Sequence, residues 1–210
     1  MRTVRHPISL ARKVMTDSRH VLLAGAGAEQ FADAVGVERV ENSFFDTEHR
    51  RSALERVLRQ RQQTGVSWPP DRRDTYGTVG CVVRDRQGDL AAATSTGGMT
   101  AKRWGRVGDT PILGAGNYAD GVVAVSCTGT GEEFIRHGVA RAVSARMQFA
   151  GQSLREAAGA VVHDVLQPGD GGLIAVDAHG NLAAPFNTTG MYHALADAAG
   201  RFEVRIFRDE

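Results

Sequence analysis

The chain has 210 residues, the size of one domain. With 42% hydrophobic and 23% charged residues it is ordinary globular material, which excludes wholesale disorder. The 25 basic and 24 acidic side chains leave a net charge of +1, so there is no electrostatic footprint for nucleic acid or an anionic membrane. No apolar run reaches the ~20 residues of a membrane helix, and Met1 to Pro7 lacks the apolar core of a secretory signal. Cys81 and Cys127 lie far apart and match no metal spacing, so reduced thiols in a cytoplasm are expected.

In chain order, Pro7 to Met15 carries Ile8, Leu10, Ala11 and Val14 at helical spacing, with Pro7 suited to a first turn. His20 to Ala24 is a short apolar run before Gly25 and predicts a strand leading through a glycine turn into a helix. A polar helix is predicted near Arg51 to Arg61. It runs into a basic, proline-bearing linker over about 62–77, because seven arginines from Arg50 to Arg73 face only Glu55 and Asp71. Thr78 to Arg84 and Leu90 to Thr94 flank Asp85 to Asp89 and predict a hairpin. Val122 to Cys127 predicts another strand. Glu132 to Phe149 predicts one amphipathic helix, since Ile135, Val139, Val143 and Met147 recur at steps of four. Ser153 to Glu156 is a capping box opening a helix to about Leu166. Strands are predicted over Leu173 to Val176, Leu182 to Ala184 and Phe202 to Phe207. Strands, two helices, then strands again imply layered helix and sheet with much antiparallel pairing.

Several chemistries can be set aside. The Gly25-x-Gly27 turn lacks the third glycine of a dinucleotide loop, having Gln30 there. The seven histidines form no zinc motif, and no Gly-x-Ser-x-Gly elbow occurs. No metal or cofactor is expected.

The dense region is Gly77 to Gly131. Thr94 to Thr100 holds four hydroxyls in seven residues, and Cys127-Thr128-Gly129-Thr130-Gly131 joins a strand to a helix. Hydroxyls and backbone N–H groups at such a turn can form an oxyanion hole. Arg106 and Asp109, three residues apart on a glycine-bounded loop, suit the carboxylate and the ammonium of one amino acid. Taken together, these features suggest amide hydrolysis by a threonine.

Thr78-Val79-Gly80, Ala93-Thr94-Ser95-Thr96-Gly97-Gly98, Gly105-Arg106-Val107-Gly108-Asp109, Gly114-Ala115-Gly116, Thr128-Gly129-Thr130-Gly131, Gly171-Gly172-Leu173-Ile174 and Phe186 to Tyr192 resemble the plant-type L-asparaginase/isoaspartyl peptidase family of N-terminal-nucleophile hydrolases. Glycosylasparaginases usually have Thr-Ser-Thr-Asn-Gly where Thr94 to Gly98 stand here, which favours the isoaspartyl branch. The resemblance implies an α+β fold, an αββα sandwich. It also implies a single domain over 1–210, cut between Gly77 and Thr78 into an α piece 1–77 and a β piece 78–210. It implies hydrolysis of L-asparagine and β-aspartyl dipeptides by the freed Thr78, oriented by Thr96. Arg106 is expected to hold the substrate carboxylate and Asp109 its amino group. Thr128 and Gly129 are expected to supply the oxyanion hole, and Gly131 to shape the pocket. A homo-oligomer of processed αβ units is implied as well.

Family members carry a further stretch before the segment matched here, with a His-Gly-Gly-Ala-Gly strand and a sodium-binding loop. The chain is therefore expected to be N-terminally truncated, lacking central sheet partners, and a poor enzyme by itself. The alternatives are a catalytically silent remnant that keeps the pocket residues, or a glycosylasparaginase-like amidase.

Overall fold

The computed structural model describes residues 1–65 and 77–207. They fall into two compact units, one of Met1–Gly77 with Gly97–Arg106, the other of Thr78–Thr96 with Val107–Glu210. Mixed helix and sheet with antiparallel pairing makes the class α+β.

The first unit is helical. Helix α1 (Pro7–Asp17) starts on its proline and buries Leu10 and Val14. Helix α2 (Gly25–Ala34) buries Ala28 and Ala32. Val4, Leu10 and Ala32 form a small core edged by Phe31, Val35 and Val37. The residues after α2 return to the chain start, where Val40 N–H donates to the Thr3 carbonyl and Arg5 N–H to that of Glu38. Arg39 closes this junction on Glu29 at 2.6 Å. The predicted strand over His20 to Ala24 is not one: the segment is irregular, and Val21 and Leu22 are exposed. A short apolar run becomes a strand only with a neighbour to pair with, and none of the described residues pairs with it.

Helix α3 (Glu48–Thr64) begins earlier and ends later than predicted. Thr47 caps it by accepting from Arg50 N–H, and Gly65 ends it at φ 67°, a left-handed conformation that glycine adopts without penalty. The first residues of the expected linker are thus helical, and 66–76 lie outside the described residues.

The second unit has the sheets. β1 (Thr78–Arg84) and β2 (Leu90–Thr96) pair antiparallel from Thr78↔Thr96 to Arg84↔Leu90. The turn between them is held by Asp85, whose carboxylate accepts from Gln87 and Asp89 N–H at 2.9 Å. The larger sheet runs β3 (Asn117–Ala119), β4 (Val123–Gly129), β5 (Gly171–Asp177), β6 (Leu182–Ala183), all antiparallel. β7 (His193–Ala196) and β8 (Phe202–Arg205) make a separate hairpin. β3 and β7 are absent from the sequence prediction, as both are short, at three and four residues.

The period-two alternation of β4 sorts its side chains. Val123, Val125 and Cys127 join the main core with Phe134, Val139, Val143, Leu154, Val161 and Leu173. Ala124, Ser126 and Thr128 face the other way, toward β1 and β2. There Ser126 meets Thr94 at 2.7 Å, and both are buried. The two sheets come so close that a side chain on Gly80 would begin 2.9 Å from Ser126 Cβ, and nearer still to its Oγ.

The predicted single helix from Glu132 is two: α4 (Gly131–His137) and α5 (Val139–Ala150). Gly138, at φ 55°, breaks it, because no four-residue periodicity overrides a left-handed glycine. The capping box is present, with Ser153 accepting from Glu156 N–H and Glu156 accepting from Ser153 N–H. Helix α6 (Leu154–Ala160) passes into a single π turn over Val161–Val165. Asn187 Nδ2 donates to the Val162 carbonyl within that turn.

Candidate active site

Thr78 is the first residue of β1, and the register sets it opposite Thr96 at the end of β2. Their side chains lie on the same face, and Thr78 Oγ1 donates to Thr96 Oγ1 at 3.1 Å. Two residues further in, on that same face, Thr94 donates to the Gly116 carbonyl at 3.2 Å and bonds Ser126. A row of hydroxyls therefore runs between the sheets, with Thr78 and Thr96 at one end. Thr128 is two residues from Ser126 on β4 and shares that face.

Thr128 and Gly129 end β4, and Gly129 pairs with Gly171 at the start of β5. A side chain on either glycine would overrun the facing strand: one on Gly171 would begin 2.7 Å from the Gly129 Cα. Asn187 secures this point, because its Oδ1 accepts from Gly171 N–H at 2.9 Å while its Nδ2 donates to the Val162 and Gln167 carbonyls. Thr130 N–H donates to the Asp170 carbonyl at 2.7 Å, and Gly131 opens α4. The backbone at Thr128 to Gly131 is thus fixed on both sides before any ligand arrives.

Asp109 is buried, 6% exposed. Its carbonyl accepts from Ile112 and Gly116 N–H, a turn that aims the residue. Its carboxylate lies near enough to act on Cys127. Burial first, and then the Asp109 charge, push the Cys127 thiol well above its ordinary range.

Gly77 and Arg106 belong to the first unit. There Arg50 Nη2 donates to Thr100 Oγ1 at 2.8 Å, and Lys102 donates to the Gly97 carbonyl. Burial, followed by repulsion from Arg106 and Arg50, pulls the Lys102 ammonium below its ordinary value. This loop carries left-handed φ angles at Ala101 (57°) and Trp104 (54°), conformations that cost strain in residues with a Cβ.

The geometry brings Thr78 to Thr96 and sets Thr128 and Gly129 on a rigid strand end in the same unit. Thr94, Ser126 and Asn187, which support these residues, were not predicted. Thr94 and Asn187 lie inside the quoted motifs, but no sequence pattern marks a residue that acts by bracing another. Among the described residues, no group of three or more His, Cys, Asp or Glu could hold a metal ion. No helix among them is long and apolar enough to cross a membrane.

An α+β chain with a strand-leading threonine bonded to a second threonine has clear relatives. The family model for asparaginase matches residues 1–206, and the chain belongs to that family. It is 49% identical to an isoaspartyl peptidase of Salmonella typhimurium, over 98% of this chain and 67% of the relative. It is 48% identical to an isoaspartyl peptidase of Escherichia coli, over 99% and 66%. It is also 38% identical to a plant-type L-asparaginase of Pyrococcus furiosus, over 91% and 65%. The chain spans about two thirds of the length of these curated relatives.

Proposed function

We propose that this chain is an amidohydrolase of the isoaspartyl peptidase/L-asparaginase type, acting on L-asparagine and β-aspartyl dipeptides through Thr78. The observation that carries the reading is the 3.1 Å bond between Thr78 Oγ1 and Thr96 Oγ1 at the first residue of a strand, directly after Gly77. The names of the relatives agree with the substrate class.

Processing comes first. Thr78 Oγ attacks the Gly77 carbonyl carbon, the Gly77–Thr78 C–N bond breaks, and the hydroxyl proton ends on the released amine. Water then hydrolyses the resulting ester, leaving pieces 1–77 and 78–210. The new α-amine has a reference pKa of ~8 and serves as base for its own hydroxyl. In turnover, that amine takes the Oγ proton as Oγ attacks the β-carbonyl of substrate. Ammonia or an amino acid leaves with the proton, and water releases aspartate from the ester. Thr96 orients the Thr78 hydroxyl. The Thr128 hydroxyl and Gly129 N–H stabilise the oxyanion, worth ~3 kcal/mol per donor. Arg106 pairs with the substrate carboxylate as a planar fork, Asp109 with its ammonium, and Gly131 shapes the pocket wall.

The fold reading is an αββα sandwich: β1–β2 and the larger sheet are the two central layers, and α5 and α6 the helical layer on the larger sheet. On the outer face of β1–β2, Val79 is 69% exposed. Processed αβ units are taken to associate as a homo-oligomer in the cytoplasm.

Intact-mass spectrometry tests the reading. The expected result is a cut between Gly77 and Thr78 that Thr78→Ala abolishes. Arg106→Ala and Asp109→Ala should keep the cut and lose dipeptide hydrolysis. A cut elsewhere, or one persisting in Thr78→Ala, refutes the nucleophile. Near-normal kcat/KM in either clamp variant refutes the clamps. A chain that stays whole is the catalytically silent form.

A further inference from the structure

We propose that Arg50 holds the negative charge that processing places on Gly77, first on the oxygen of the tetrahedral intermediate and then on the carboxylate of the new chain end. The inference rests on the cleavage reading above and adds a residue to it.

Arg50 sits in the first turn of α3, and its position is fixed twice. Its backbone N–H donates to the Thr47 cap, and its Nη2 donates to the buried Thr100 hydroxyl at 2.8 Å. The other arm of the guanidinium, Nη1, lies toward Gly77, 4.0 Å from where a side chain on that residue would begin. Gly77, Arg50 and Thr100 all belong to the same compact unit, so this juxtaposition is internal to one body.

A cation at this place suits the chemistry. Attack by Thr78 Oγ turns the Gly77 carbonyl oxygen into an alkoxide, and collapse of the intermediate breaks the C–N bond. Hydrolysis of the ester then adds water across the acyl carbon, returns the hydroxyl to Thr78 and leaves a carboxylate on Gly77. The tetrahedral intermediates on either side of the neutral ester, and the final carboxylate, each carry negative charge on oxygens of the Gly77 carbon. A guanidinium stays charged at any working pH and presents several N–H donors in a plane, so one arm can be braced while the other serves the oxygens. Residues clamping a free substrate's carboxylate and ammonium are not needed for this step, because the internal bond lacks both groups.

The test follows the cut in the full chain by intact mass over time. Arg50→Gln is expected to slow cleavage about ten- to hundredfold, the span that a hydrogen bond to a charged group typically covers. Arg50→Lys should recover part of the rate, and millimolar methylguanidinium should partly rescue Arg50→Gln, which a residue with only a structural role would not allow. Thr100→Val keeps the charge but removes the brace and should slow the cut by a smaller factor. Wild-type speed in Arg50→Gln overturns the proposal. So do equal losses in Arg50→Gln and Arg50→Lys without rescue. If Arg50→Gln does not fold, wild-type speed in both Arg50→Lys and Thr100→Val overturns it. A wild-type chain that never cuts refutes the cleavage reading itself, a distinct result.

Discussion

Replacing Gly80 by alanine should damage both stability and the site, although Gly80 is itself no candidate for chemistry. The new Cβ would begin 2.9 Å from Ser126 Cβ, where ordinary contact starts near 3.4 Å, and it would press harder still on Ser126 Oγ. Ser126 can rotate its hydroxyl away only by leaving Thr94, a buried bond of 2.7 Å. Otherwise the β1–β2 sheet must lift from β4. Overpacking of this kind costs about 1–3 kcal/mol, and the lost hydrogen bond about 1 more. A sum of roughly 2–4 kcal/mol lowers Tm by roughly 5–15 °C for a chain of this size. Lifting the sheet also displaces Thr78, two residues away on the same face, so cleavage at Gly77–Thr78 should slow by more than the loss of stability accounts for. Thermal unfolding by circular dichroism and the mass time course read the two effects. Ser126→Gly in the same chain removes both crowded atoms and should recover much of the Tm. If Gly80→Ala unfolds and cleaves like wild type, the close packing of the sheets is not what positions Thr78.

Gly116→Ala should raise KM for β-aspartyl dipeptides more than it lowers kcat, since its Cβ would begin 2.5 Å from the Asp109 carbonyl and push that residue's turn aside; an unchanged KM would separate Asp109 from substrate binding. Asp120 accepts from Ser144 at 2.5 Å and from Val122 and Val123 N–H. Burial alone would raise its pKa, but these hydrogen bonds outweigh it and the net direction is down from 3.8. A depressed folded pKa means stability present above that value and lost as pH falls through the folded pKa, so Asp120→Asn should lower Tm at pH 7 and converge with wild type in acid. Parallel Tm curves down to pH 2 would show that Asp120 contributes no linkage. Cys81 is exposed and Cys127 buried, with its thiol pushed up. Iodoacetamide at neutral pH should therefore label one thiol in the native chain and both after denaturation, and rapid double labelling of the folded protein would contradict the packing around Cys127.

What the sequence determined by itself were features set by local physics or by specific motifs. Pro7 starts α1, the Ser153/Glu156 capping box starts α6, and the Asp85-to-Asp89 turn joins β1 to β2, because each depends on residues a few positions apart. The family, too, was legible, since the runs of glycine and threonine from Gly77 onward are specific to it. The tertiary structure decided what needs a distant partner. His20 to Ala24 has the composition of a strand and no neighbour among the described residues to make it one. Gly138 splits a helix whose apolar spacing continues across the break, since its backbone is committed to a left-handed turn. Thr94, Ser126 and Asn187 acquire their bracing roles only when strands far apart in sequence stack and pair. Arg50 reads as one arginine among seven on a polar stretch; the fold sets its guanidinium between Thr100 and Gly77, because Thr47 fixes where α3 begins.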